Sequence, residues 1–224
     1  MPSSFDRQIT MLQNDLLEFA TGAIDVVRSA RTLLVTDGIV DPNQLATDPG
    51  WENRDVTLEE SCLGLLALHQ PVARDLRRLA SFLKINQEIE RIHELALGIV
   101  ERVSRWRLSS QCRPIPAKLR DLAEATPDRV AAAVEAFRTH DLALAYQVRV
   151  EDDVVDTLNR EVLENLTRDL QADPETACDN LLLFSASRDL ERIGDHATNI
   201  AEDVIYMIQG TIIRHQRTPE RVSA

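Results

Sequence analysis

Two rows of acidic side chains, about a hundred residues apart, carry the chemistry-bearing signal of this chain. Glu191, Asp195, Asn199 and Glu202 step along the sequence by four, four and three, and Glu90, Glu94, Gly98 and Glu101 repeat those steps. On a helix each set falls on one narrow stripe, nearly opposite the stripe that carries Ile92, Ala96 and Ile99 or Ile193, Ala197 and Ile200. Carboxylates one turn apart lie roughly 5–6 Å between Cβ atoms and oppose helix formation by a few tenths of a kcal/mol. A divalent cation turns that repulsion into coordination, because hard cations take several oxygen ligands.

Further acids stand ready to complete such sites. Asp152 and Asp156 repeat the acid-xxx-acid spacing, and Asp48 and Glu52 are read as their first-half counterparts. If the helices pack side by side, Asp152, Asp156, Glu191 and Asp195 converge on one cation, with Asn199 and Glu202 at its margin. The matching first-half site uses Glu90, Glu94, Asp48 and Glu52. Pro49-Gly50 falls inside that last spacing, which favours the second-half site. The bland alternative is a pair of solvated faces, balanced by Arg91 and Arg192 one step off each row.

The rows must be positioned by helices, and those helices are duplicated. Sliding the chain by 101 residues aligns Glu90/Glu191, Arg91/Arg192, Ile92/Ile193, Ala96/Ala197, Ile99/Ile200, Glu101/Glu202 and Val103/Val204 as identities. Apolar spacings of three and four predict a first helix over about 6–37. A second carries Leu58, Cys62, Leu65 and His69 and stops at Gln70-Pro71, where the residue before proline leaves the α region. Pro71 then opens a third, which runs to about Arg107. After a linker at 109–116, a fourth helix begins at Leu119 and restarts at Thr126-Pro127-Asp128. Asp141 caps a fifth, continuous to Asp173-Pro174, and the sixth spans about Glu175 to Gly210. The fold class is all-α: two tandem three-helix bundles at 1–108 and 115–213, then a polar tail at 214–224.

Composition agrees. Of 224 residues, 44% are hydrophobic but only 4% aromatic, and only seven are glycine, so the core is aliphatic and a many-turned β protein is excluded. A formal charge of −12 argues against nucleic acid and for cations or basic protein patches as partners. Cys62, Cys112 and Cys178 are odd in number and form no CxxC pair, which suits a reducing, cytoplasmic compartment. The start, Met1-Pro2-Ser3-Ser4-Phe5-Asp6, lacks the pattern of a secretory signal, and no apolar run reaches membrane-span length. Membrane association is expected through partners only.

Gln70-Pro71-Val72-Ala73-Arg74-Asp75-Leu76-Arg77, Glu90-Arg91-Ile92, Glu151-Asp152-Asp153-Val154-Val155-Asp156 and Leu190-Glu191-Arg192-Ile193-Gly194-Asp195-His196-Ala197-Thr198-Asn199-Ile200-Ala201, in that order, resemble the PhoU family of bacterial regulators of phosphate uptake. The resemblance implies a cytoplasmic accessory of the high-affinity phosphate ABC transporter that conveys phosphate status to a membrane sensor kinase and restrains the phosphate-starvation response. It implies homodimers or higher oligomers and, in some members, surface metal clusters on acid-xxx-acid motifs. Carried over, those motifs are Asp152/Asp156 and Glu191/Asp195, with Asp48/Glu52 and Glu90/Glu94 in the first half. The metal's identity stays open among iron, zinc, nickel, manganese and magnesium. This chain departs from the family pattern where His93-Glu94 replaces Gly-Asp, where Gly98 replaces a polar residue, and at Pro127.

Two other functions compete with a non-catalytic adaptor. A carboxylate-bridged di-iron enzyme needs inward-facing Glu-x-x-His motifs on two helices; only Glu90-x-x-His93 fits, and its Glu faces away from the apolar stripe. A metal-free accessory module of another phosphate permease is the second. His69, His93, His140, His196 and His215 are scattered, with no nucleophile–base spacing among them. Arg74, Arg77 and Arg78 form either a solvated basic face or a site for an anion or acidic partner.

Overall fold

Seven α-helices make up the described part of a computed structural model, which covers residues 4–36, 50–107 and 114–213, less the side chains of 152–154. They are α1 (Ser4–Val35), α2 (Trp51–His69), α3 (Ala73–Arg107), α4 (Ala117–Thr139), α5 (Leu142–Val150), α6 (Asp152–Ala172) and α7 (Ala177–Gln209), with a 3₁₀ turn at Pro174–Thr176. Residues 37–49, most of the linker and the tail from Arg214 lie outside the described residues.

The all-α, duplicated architecture stands, with the two repeats sharing one core. Long helices α1, α3, α7 and α4 pack in a ring; α2 lies against α1 and α3, and α5 and α6 lie against α4 and α7. The α1 stripe Leu12, Leu16, Phe19, Ala23, Val27 and Ala30 is buried throughout, as a 3.6-residue period requires. Phe82 of α3 meets Phe137 of α4 edge-on at 5.4 Å, so the repeats are joined by packing as well as by chain. Lys84–Asp203 at 3.0 Å and the short Arg102–Asp189 pair tie α3 to α7 across the same boundary.

Three element boundaries differ from the sequence reading. Helix α4 runs unbroken through Pro127. An interior proline costs about 3 kcal/mol, but Leu119, Leu122, Val130 and Phe137 are all essentially buried in α4, and each contributes about 1.5–3 kcal/mol. Burial wins. The fifth helix instead divides at Glu151 (φ −78°, ψ 0°), whose N–H still donates to the Gln147 carbonyl at 3.1 Å. The bend keeps Ala145 and Val148 before it, and Val155, Val162 and Leu166 after it, buried in one core. Helix α3 begins at Ala73, because Gln70 closes α2 in the left-handed region (φ 45°) and the chain needs two more residues to reverse.

Candidate functional site

A stack of three rings sets the geometry of the first-repeat site. Phe19 of α1, Trp51 of α2 and His93 of α3 lie face to face, with centroids 4.0 Å and 3.7 Å apart. Gly22 makes room for it, since a Cβ there would stand 2.9 Å from the Trp51 ring. The stack pins the start of α2 against α3. Glu52 and Asp55 on α2 thereby join Glu90, Glu94 and Glu101 of α3 along an open groove of about 750 Å³. Five carboxylates line it, together with Trp51, Val56, His93, Leu97 and Gly98, and no Lys or Arg.

Electrostatics in the groove is unfavourable to its own charges. The Glu90 carboxyl is held above its usual range by burial and then by the neighbouring Glu94, against the opposing pull of Arg91. Asp55 is raised as well, by burial first, and then by Glu59 and Glu94, although the Asn86 amide donates to it at 2.5 Å. Glu94 is exposed and turns to Arg91 at 2.6 Å. The groove continues past Glu59, Glu88 and Arg91 toward His196.

The second-repeat row is differently built. Glu191 pairs with Arg188 at 2.9 Å, and Glu202 with Arg149 at 3.1 Å. Asn199 donates at 3.1 Å to Glu88 of the other repeat, whose carboxylate also lies 2.6 Å from His196 Nδ1. Buried Arg129 sits behind the row and donates to the Thr198 hydroxyl at 2.6 Å. Asp195 and Asp156 are exposed. The side chain of Asp152, and Asp48 altogether, lie outside the described residues. Of the sequence-nominated acids, then, Glu52, Glu90 and Glu94 share one groove, whereas Glu191 and Asn199 turn to separate partners.

Asp55 was missed, and the signal for it was in the sequence. The offset of 101 that aligns the two rows carries Asp156 onto Asp55, not onto Glu52. It also carries Asp152 onto Trp51 and Gly194 onto His93. The first repeat thus spends on an aromatic stack the positions where the second keeps Asp152 and a glycine crowded by Val155 and Arg129.

The groove's donors suit a hard divalent cation in kind and in number. Among the described residues no three His, Cys, Asp or Glu side chains stand in a set that could hold a metal ion as placed. Mutual repulsion accounts for that: like-charged carboxylates splay, and Glu94 settles on Arg91.

The PhoU domain family matches residues 48–103 and 119–204, one span per repeat. The chain belongs to the PhoU family. A Pseudomonas putida relative, named a phosphate-specific transport system accessory protein PhoU homolog, is 30% identical over 212 residues, covering 94% of this chain and 83% of its own. A Pseudomonas aeruginosa protein of the same name is 35% identical over 158 residues, 70% of this chain and 65% of its own. The crystal structure of PhoU from Pseudomonas aeruginosa superimposes with a TM-score of 0.82 at 29% identity, over 93% of this chain and 100% of that one. Among the described residues no helix is long and apolar enough to cross a membrane.

Proposed function

We propose that this chain is a non-catalytic, cytoplasmic accessory protein of a high-affinity phosphate transporter. It relays phosphate status to a membrane sensor kinase and restrains the starvation response, working as a homodimer or higher oligomer. The observation that carries the reading is the match to a protein named as a phosphate-specific transport system accessory over 94% of this chain and 83% of that relative, with both repeats present. The di-iron alternative loses ground because His93 is buried against Trp51 while Glu90 faces an open groove. Deleting the gene in its own host tests the role. Constitutive expression of a phosphate-starvation reporter in rich phosphate is expected, and normal repression overturns it.

The first-repeat groove is read as the cation site, with Asp55, Glu90 and Glu94 as ligands and Glu52 at its rim. A bound cation there supplies charge neutralisation and a cross-link between α2 and α3. In the second repeat, Glu191 and Glu202 are read as members of salt bridges with Arg188 and Arg149, and Asn199 as a tie to Glu88. Metal content of chelator-free protein, compared between wild type and Glu90→Gln/Glu94→Gln, separates the two. Equal content in both overturns the groove as the site.

A further inference from the structure

One cation of this molecule is withdrawn from water. Among the described residues Arg129 of α4 is the only buried Lys or Arg, at 6% exposure, and it sits behind the acidic row of the second repeat. Its Nε donates to the Gly194 carbonyl at 3.4 Å, and a terminal nitrogen donates to the Thr198 hydroxyl at 2.6 Å. Thr198 in turn donates to the Gly194 carbonyl at 3.2 Å, so one turn of α7 fixes the orientation of the guanidinium. Gly194 gives the room: a Cβ there would stand 3.2 Å from Val155 and 3.7 Å from the Arg129 Nε.

A guanidinium carries a full charge on its fork of N–H donors, and both of these partners are neutral. A charge taken out of water persists only where an opposite charge meets it. The acids of α4 are engaged elsewhere or turned away. Glu124 pairs with Arg31 and Glu135 with Arg138, and exposed Asp128 projects about 100° round the helix from Arg129. The acids placed to meet the charge belong to the second-repeat set: Asp195 directly follows Gly194, and Asp156 directly follows Val155, whose side chain packs on Gly194. The first repeat is built otherwise. There His93 stands at the position matching Gly194, and the Trp51 and Phe19 rings fill the space beside it.

We infer that Arg129 is the resident cation of the second repeat. Its guanidinium meets the charge of Asp156 and Asp195 from inside the bundle and takes the place of a metal ion, so the second-repeat acids bind none. Such a cation cannot dissociate, and it keeps its charge at every pH the fold survives. The difference in metal content between the repeats rests on the first-repeat groove being the cation site, whereas the pairing does not.

Thermal melts of the full chain in chelator test the pairing by sign. Relief of repulsion raises Tm in Glu90→Gln, whereas Asp156→Asn/Asp195→Asn strips Arg129 of its counter-charge and lowers Tm by roughly 2–8 °C, the size of a coupling between ionic neighbours. Made in an Arg129→Met protein, the same two substitutions raise Tm instead. Manganese counted on stripped and reloaded protein is the second readout. Asp156→Asn/Asp195→Asn keeps the wild-type content, and Arg129→Met in the Glu90→Gln/Glu94→Gln background takes up about one ion per chain, as carboxylates freed of their internal cation do. A Tm that rises or stays level in Asp156→Asn/Asp195→Asn overturns the inference whether or not the Arg129 variants fold. Manganese lost from that variant, or a folded Arg129→Met protein that gains none, overturns it too. Wild type holding no more manganese than Glu90→Gln/Glu94→Gln defeats the groove reading, while a lowered Tm in Asp156→Asn/Asp195→Asn still upholds the pairing.

Discussion

Replacing Glu90 by Gln separates the cost of the empty groove from its use. Without metal, Glu90 is half-buried beside Glu94 and Asp55, and its carboxyl is raised even with Arg91 beside it. Each like-charge neighbour contributes a few tenths of a kcal/mol, so removing the charge stabilises the fold by about 0.5–1 kcal/mol. For a chain of this size that raises Tm by about 1–4 °C. The sign follows from linkage. A carboxyl whose folded pKa lies above its unfolded value costs stability once pH rises through the two values, and costs nothing below both. The advantage of Glu90→Gln is therefore full near pH 7 and absent below about pH 4. With a divalent cation at a hundred times its Kd, wild type gains about 2.7 kcal/mol, or about 5–11 °C, and Glu90→Gln loses most of that gain. Thermal melts in chelator and in manganese, zinc and magnesium, at pH 7 and pH 4, measure all four corners. A variant that melts with wild type in chelator, or that keeps the full metal shift, refutes the account of the groove.

Other perturbations test the frame that holds the groove. Phe82→Ala empties a fully buried site against Phe137, and a loss of about 3–5 kcal/mol is expected, read as a two-state shift in urea midpoint. Gly22→Ala drives a methyl against the Trp51 ring; a loss of about 1–3 kcal/mol accompanied by altered tryptophan fluorescence is expected, and an unchanged spectrum contradicts the stacked geometry. Burial, with Glu59 beside it, pushes the Cys62 thiol up to about 12, whereas Cys178 is exposed. Maleimide labelling followed by peptide mapping should modify Cys178 in the native protein and Cys62 only after unfolding.

Periodicity made the helices legible, because burying an apolar stripe is a local property of the sequence. The α1 stripe, the stop at Gln70, the Asp141 cap that accepts from Ala143 and Leu144, and the Gly210 end of α7 were all readable in this way. Proline at 127 misled, since its cost is local whereas the burial that outweighs it belongs to the whole core. The duplication gave the existence of two acidic rows and even the register that points to Asp55, but a spacing argument drew attention to Asp48 and Glu52 instead.

The sequence by itself determined an all-helical, twofold-repeated chain of the PhoU family with acids along one face of α3 and α7. Only the tertiary structure decided which row became a shared groove. An acid's neighbours across a helix boundary depend on packing between distant segments. In the first repeat the Phe19–Trp51–His93 stack brings α2 acids beside α3 acids, with Arg91 pairing Glu94 and Glu90 at the groove's edge. In the second, Arg149 and Arg188 reach Glu202 and Glu191 first, and Asn199 is drawn to Glu88 of the other repeat.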